Sequence, residues 1–206
     1  MSHKPKMIPG IPDHKKGSFH DTESRRLFEN QQTTYEAFNM LKDRFLSING
    51  WKDYCGEKSA DFKLYDAAGN PISRSPQITD LIRIDIPGPG NPEAKGFDWV
   101  EIIKISDQFL GIGEIESVMM VCVPAKIPGQ DKNSHIAHFY AKGSSSIFKI
   151  ARGSKYIKIG VYGRNETPNM QANLPGKIRN LMIAVGGMLG ISKMQWKAFT
   201  DKIIDA

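Results

Sequence analysis

The chain is poor in cysteine, with only Cys55 and Cys122 among its 206 residues, and the two stand far apart. No Cys-x-x-Cys pair is present, so the sequence carries neither a zinc-binding nor a dithiol redox motif. Free cysteine behaves as a small buried hydrophobe. We therefore expect two reduced thiols, with Cys122 inside the core of a strand.

Long apolar runs are missing as well. No segment reaches the roughly 18 consecutive apolar residues that a membrane-spanning helix needs. The first ten residues, MSHKPKMIPG, carry charge but lack the apolar stretch of a secretory signal. From these absences we expect no membrane partner and a cytoplasmic location.

Motifs for covalent, phosphate or metal chemistry are absent too. The sequence has no Gly-x-Ser-x-Gly, and the pair Gly88 and Gly90 lacks the Lys-Ser/Thr ending and the helix of a P-loop. His135 and His138 are three residues apart, a spacing that places side chains on opposite faces of a strand. We therefore expect no cofactor and no metal site.

Positive charge is concentrated at the N-terminus. Half of the formal net charge of +6 lies within residues 1–20, which are rich in Pro, Lys and Gly. This composition predicts a basic N-terminal arm over residues 1–20, followed by a single α+β domain over residues 21–206. The remaining charge is mixed in sign, so we do not expect a nucleic-acid-binding surface.

Helical periodicity occurs on both sides of the middle of the chain. Residues 34–48 have an apolar stripe at helical spacing after a capping-box pattern at Thr33, and residues 22–31 are compatible with a separate turn of helix. Residues 178–189 and 193–204 predict a C-terminal helical hairpin. In its last helix, we expect Trp196 to be a buried anchor.

The middle of the chain has the alternating or continuously apolar patterns of β-strands. Seven segments are predicted as strands: 61–65, 81–86, 97–105, 114–123, 134–141, 145–152 and 155–164. The whole pattern predicts an α+β fold. It consists of a curled, mainly antiparallel sheet or small barrel of about seven strands, with an N-terminal helix and a C-terminal helical hairpin.

Two features are candidates for a binding site. The first is the Pro/Gly-rich loop at residues 87–96, preceded on its strand by Arg83 and Asp85. The second is a polar cluster at the end of the last predicted strand, where an arginine offers a planar fork for a carboxylate or phosphate. The candidate ligand-binding residues are Arg83, Asp85, Arg164, Asn165, Glu166 and His138.

Two resemblances accompany these residues. The segments 78–85 and 98–102 look like the second and third strands of SH3-like small barrels. More of the chain is similar to a group of Bacteroidetes-type bacterial proteins of unknown function, and the segments Arg83-Ile-Asp-Ile-Pro-Gly-Pro-Gly90, Asp98-Trp-Val100, Gly163-Arg-Asn-Glu166 and 184–197 carry that resemblance. It implies one shared architecture and no particular activity.

Three functions remain open from the sequence. The first is a non-enzymatic binding or interaction module for an unknown protein or small ligand, using the 87–96 loop and the Arg-Asn-Glu cluster. The second is a small-ligand-binding protein or enzyme whose pocket lies between the sheet and the C-terminal helices, with His138 and Glu166 as acid/base groups. The third is polyanion binding through the basic arm. Pairing of strand edges between chains, and hence a homo-oligomer, also remains open.

Overall fold

The computed structural model describes residues 4–8, 10–56, 59–87, 90–92, 94–109, 113–130, 135–171, 175, 177, 180 and 191–206. Within these residues the fold is α+β, with a seven-stranded, curled antiparallel sheet in the order β1-β7-β6-β5-β4-β3-β2. Its strands are β1 (Ser18–Leu27), β2 (Asp61–Tyr65), β3 (Leu81–Asp85), β4 (Asp98–Phe109), β5 (Glu116–Pro124), β6 (Ser145–Arg152) and β7 (Tyr156–Glu166).

Three α-helices have their bounds among the described residues: α1 (Gln31–Leu46), α2 (Trp51–Cys55) and α3 (Ile191–Asp205). The described residues Pro175, Lys177 and Asn180 are helical as well. A 3-10 turn at Ile48–Gly50 links α1 to α2. All three helices contribute to one apolar core with the same face of the sheet. None of the described helices combines the length and apolar character that crossing a bilayer requires.

The main core forms where alternate strand residues meet the helices, because successive side chains of a strand point to opposite faces. Trp51 is fully buried there, and its ring packs edge-on against Phe62 and Phe199. Its indole N–H donates to the carbonyl oxygens of Arg44 and Phe45 at the end of α1, 3.2 Å away in each case. The side chain therefore joins α1, α3 and β2.

The other face of the sheet carries a smaller apolar cluster. Met119, Val121, Ile147 and Tyr162 are buried there beneath residues of the N-terminal segment, among them Ile11. As a result β5 is covered on both faces, as its continuous apolar run predicted. Cys122 is buried and both cysteines are free, as expected.

The strand count agrees with the prediction, but two of the elements differ. The expected helical turn over residues 22–31 is wrong, because residues 18–27 form β1 and pair with β7. The expected strand over residues 134–141 is also wrong: the described residues 135–141 contain only an isolated bridge from Tyr140 to Pro168. The predicted boundary between arm and domain, at residue 20, falls inside β1.

The helices agree more closely with their patterns. Helix α1 begins earlier than predicted, because the side chain of Asn30, not Thr33, accepts the capping hydrogen bond, from the Thr33 amide. The last predicted helix is confirmed as α3. Its expected partner at residues 178–189 lies outside the described residues, apart from Asn180. The two segments that resemble an SH3-like barrel pair as β3 and β4 within the larger sheet.

Candidate functional site

A cavity of about 240 Å³ lies between the helix-covered face of the sheet and α3. Most of its wall is apolar and comes from strands β2, β3, β4 and β6 and from α3. These wall residues are Phe62, Ile82, Ile84, Val100, Phe148, Trp196 and Phe199. Such a mainly apolar concave space with a few polar groups is typical of a small-molecule site.

The polar groups of the cavity come from three separate parts of the chain. His20 lies on β1, His138 and Tyr140 lie in the loop before β6, and Glu166 ends β7. Strands β1 and β7 are neighbours in the sheet, so His20 and Glu166 approach each other although 146 residues separate them.

A bulge in β7 places Glu166 on the cavity side. The pairing of β1 with β7 shifts between Ser18 and His20, so that Ser18 is opposite Glu166 and His20 is opposite Gly163. Asn165, within this bulge, has a positive φ of 56°, a conformation that asparagine tolerates better than most residues. Bulges commonly redirect a side chain in this way beside functional sites.

Glu166 is the centre of a hydrogen-bonded cluster. Its Oε1 lies 3.0 Å from Nδ1 of His20, and its Oε2 accepts from the Ser18 hydroxyl at 3.3 Å. The Tyr140 side chain lines the cavity near this carboxylate. Burial raises the pKa of Tyr140, and the neighbouring Glu166 charge raises that pKa further, so the phenol stays protonated.

His20 is held from two directions. Its side chain is only 10 % exposed, and its ring lies nearly parallel to that of Trp196, with an angle of 8° and centroids 6.3 Å apart. The Nε2 atom is buried and has no hydrogen-bond partner among the residues that the structure describes. One ring nitrogen therefore contacts Glu166, and the other makes no such contact with those residues.

Of the predicted site residues, Glu166 and His138 line the cavity. His138 is buried, and its Nδ1 accepts a hydrogen bond of 2.9 Å from the backbone amide of Tyr140. Its ring stacks on Phe139, with centroids 4.3 Å apart. These contacts fix the loop that forms the polar end of the cavity.

Arg164 and Asn165 lie next to Glu166 in sequence but make other contacts. Arg164 is buried and forms an ion pair of 2.7 Å with Asp21, on the neighbouring strand. Asn165 Oδ1 accepts from the backbone amides of Lys15 and Lys16 at 2.6 and 3.2 Å. Both side chains thus tie the N-terminal segment to β7.

Arg83 and Asp85 lie on β3 but do not line the cavity. The Arg83 guanidinium sits over the rings of Phe97 and Tyr65, at 4.1 and 5.5 Å from their centroids. Asp85 is exposed at the end of the strand. Part of the 87–96 loop lies outside the described residues, so the predicted loop surface remains a prediction.

Cys55 is the one cysteine in the cavity lining. Burial raises the pKa of its thiol to about 11, although the nearby Lys202 partly opposes that rise. The thiol is therefore protonated near neutral pH and is a poor nucleophile. Among the described residues, no three His, Cys, Asp or Glu side chains are grouped so that they could hold a metal ion.

No protein-family model and no curated protein matches this chain. Among solved structures it is similar to Ara h 8.0201, with 10 % identity over 92 % of this chain and 100 % of that one, and a TM-score of 0.39. The protein XoxI from Bacillus cereus has 13 % identity over 92 % of this chain and 97 % of its own, with a TM-score of 0.41.

Truncated norcoclaurine synthase from Thalictrum flavum has 9 % identity over 94 % of this chain and 96 % of its own, with a TM-score of 0.38. At these scores the likeness carries no argument about function. The functional assignment rests on the geometry of this chain's own cavity.

Proposed function

We propose that this protein binds a small, largely apolar ligand in the cavity between the sheet and α3. The observation that carries this proposal is an apolar space of about 240 Å³ with a polar cluster at one end. An apolar cavity inside a core lowers stability, because the side chains around it lose packing contacts. A bound ligand would restore those contacts.

The size of the cavity limits the ligand. An engineered apolar cavity of about 150 Å³ in another protein binds benzene, and drug-sized sites begin at about 300 Å³. The present cavity lies between those two values, so it suits a molecule of one or two fused rings or an equivalent aliphatic body. The aromatic side chains of Phe62, Phe148 and Trp196 favour a flat ligand.

The contacts of the Arg-Asn-Glu cluster favour a ligand site in the cavity rather than on an exposed recognition surface. Arg164 is paired with Asp21, and Asn165 is hydrogen-bonded to the N-terminal segment, so neither is free to meet an external partner. Glu166, by contrast, lines the cavity. Among the functions open from the sequence, these contacts favour small-ligand binding in a pocket beneath the C-terminal helix.

A probe and a filled-cavity variant test the proposal. Ser146 lies in the cavity lining on β6, whereas Ser73 is exposed in the loop between β2 and β3. We expect 2-methoxynaphthalene, an uncharged two-ring probe, to bind the native protein and Ser73→Phe in calorimetric titration. Ser146→Phe, which fills the cavity, should lose that binding while keeping its circular dichroism spectrum. If the probe binds both variants equally well, it binds outside the cavity, and the proposal is contradicted.

A further inference from the structure

The buried Nε2 atom of His20 indicates which chemical group the ligand carries. Nearly all buried polar atoms in folded proteins have a hydrogen-bond partner, because leaving one unpaired costs its full desolvation penalty. Nε2 has none among the described residues, and the His20 side chain is nine-tenths buried in the cavity lining. The missing partner is therefore expected to come from whatever occupies the cavity.

The surroundings of Glu166 determine the role of the other ring nitrogen, Nδ1. A carboxylate is an acceptor only: the Ser18 hydroxyl donates to this one, and Tyr140 lies near it. The third group around it, His20 Nδ1, then carries a proton and donates at 3.0 Å. In the neutral form of this imidazole the other nitrogen, Nε2, presents a lone pair, whereas in the protonated form both nitrogens donate.

The charge of the cavity further limits which ligands can bind there. Glu166 contributes a negative charge, and no lysine or arginine occurs in the cavity lining that the structure describes. The nearby Arg164 is already neutralised by Asp21. A ligand carboxylate would therefore meet an apolar wall and a like charge, with no cation to offset either.

We propose that the ligand is an uncharged, largely apolar molecule that carries a hydroxyl group, and that this hydroxyl donates a hydrogen bond to Nε2 of His20 in the neutral form of the imidazole. Glu166 fixes the tautomer of the imidazole, and Trp196 fixes the plane of its ring. His20 is thus the specificity-determining residue, and Glu166 acts through it as a positioning residue. This inference rests on the proposed function, since it assigns a group to the ligand of the same cavity.

Three naphthalene probes separate the possibilities. 2-Naphthol donates a hydrogen bond, 2-methoxynaphthalene does not, and 2-naphthoate is an anion. Calorimetric titration of the native protein should give a dissociation constant roughly 2- to 12-fold lower for 2-naphthol than for 2-methoxynaphthalene, the range expected for one hydrogen bond. 2-Naphthoate should bind more weakly than either.

Two variants test whether His20 causes the preference for 2-naphthol over 2-methoxynaphthalene. His20→Phe keeps a ring beside Trp196 but removes the acceptor, so it should bind 2-naphthol and 2-methoxynaphthalene equally. Glu166→Gln keeps the shape of the side chain, but its amide can donate to Nδ1, which moves the imidazole proton to Nε2. This variant should lose the preference even if His20→Phe fails to fold. His135→Phe, at an exposed histidine, is the matched control and should behave like the native protein.

The outcomes distinguish this inference from the proposed function. Equal binding of 2-naphthol and 2-methoxynaphthalene by the native protein would overturn the hydroxyl assignment and leave cavity binding intact. The hydroxyl assignment would also be overturned, with cavity binding intact, if 2-naphthoate binds most tightly or if Glu166→Gln still prefers 2-naphthol. Failure of all three probes to bind would overturn the proposed function, and this inference with it.

Discussion

Gly163 lies opposite His20 in the ladder between β1 and β7, and a Cβ atom at Gly163 would overlap both Nδ1 of His20 and Oε1 of Glu166. The pair of His20 and Glu166 therefore occupies the volume that a side chain would fill. This glycine is needed for space, because its φ is not in the left-handed region. The fold leaves room for the pair at this one strand position.

Gly163→Ala should separate His20 from Glu166. The added methyl group has to displace one of two buried polar side chains, so we expect a loss of about 1–3 kcal/mol in the free energy of unfolding. The preference for 2-naphthol should disappear as well. Gly50→Ala is the control, because its Cβ would meet only Tyr54, at an ordinary distance of 3.8 Å.

Urea unfolding measures the free energy of unfolding of both variants. A native unfolding midpoint for Gly163→Ala would show that the pair does not fill this space.

The two tryptophans of the core should differ in what their loss affects. Trp51 is fully buried and joins three elements, so Trp51→Ala should cost about 3–5 kcal/mol of stability. Trp196 is only partly buried and lines the cavity. We therefore expect Trp196→Ala to cost less than Trp51→Ala but to abolish binding of the naphthalene probes.

Urea unfolding and calorimetric titration of both tryptophan variants check this ordering. Trp196→Phe is the conservative control and should retain part of the probe affinity, since an aromatic ring still covers His20. If Trp196→Ala unfolds the protein as Trp51→Ala does, Trp196 is the core anchor that the sequence alone predicted. In that case its place in the cavity lining has no separate role.

The elements that the sequence predicted correctly are those whose buried residues are apolar. Helix α1 buries Phe38, Leu41 and Phe45 at helical spacing, and β5 is apolar almost throughout. Strand β1 gives no such signal, because its two buried residues are Thr22 and Ser24. The Ser24 hydroxyl finds its partners on α3, an element that lies far away in sequence. This segment therefore forms a strand because of its tertiary contacts, which outweigh its β-propensity.

The sequence indicates only some of the polar residues of the cavity, for the same reason. Glu166 follows a strand that the sequence identifies, whereas His138 lies in a segment that the sequence wrongly predicts as a strand; both line the cavity. The sequence places His20 in the N-terminal arm, because none of the neighbouring residues along the chain indicates a strand. The bulge that brings Glu166 to His20 depends on the pairing of β1 with β7. That pairing cannot be recognised without identifying β1 first.

Acid should weaken the fold partly through Glu114. Burial by itself raises the pKa of this carboxyl, but hydrogen bonds from Lys149 and Lys158, at 2.6 and 2.7 Å, outweigh it and hold the pKa below its ordinary value of 4.5. The unfolded chain therefore takes up this proton first as the pH falls. The stabilisation from Glu114 is fully present above the ordinary pKa and is lost as the pH falls through the lowered one.

Glu114→Gln should flatten that acid dependence. In urea unfolding at a series of pH values, we expect the variant to lose less stability than the native protein between about pH 5 and pH 3. At neutral pH it should be about 1–3 kcal/mol less stable, because Lys149, only 2 % exposed, loses its ionised partner. Glu29→Gln, at an exposed glutamate, is the control. Parallel curves for Glu114→Gln and the native protein would rule out this contribution.

The N-terminal segment should be a stabilising part of the fold. Ile8 and Ile11 pack against Met119, Val121, Ile147 and Tyr162, and the backbone oxygen of Lys6 accepts a hydrogen bond of 3.1 Å from Arg164. Ile11→Asp would bring a carboxylate to this apolar cluster, so we expect the segment to detach at a cost of about 1–2 kcal/mol. Ile78→Asp, at an exposed isoleucine, should have no such effect.

Limited proteolysis measures the detachment directly. Cleavage after Lys15 and Lys16 should become faster in Ile11→Asp, because the amides of these two residues are held by Asn165 only while the segment is docked. The rest of the chain should remain resistant, since the main core lies on the opposite face of the sheet. Equal cleavage rates in Ile11→Asp and Ile78→Asp would mean that the segment is not held by its isoleucines. The hydrogen bonds that join the Lys6 backbone to Asp21 and Arg164 would then be the contacts that fix it.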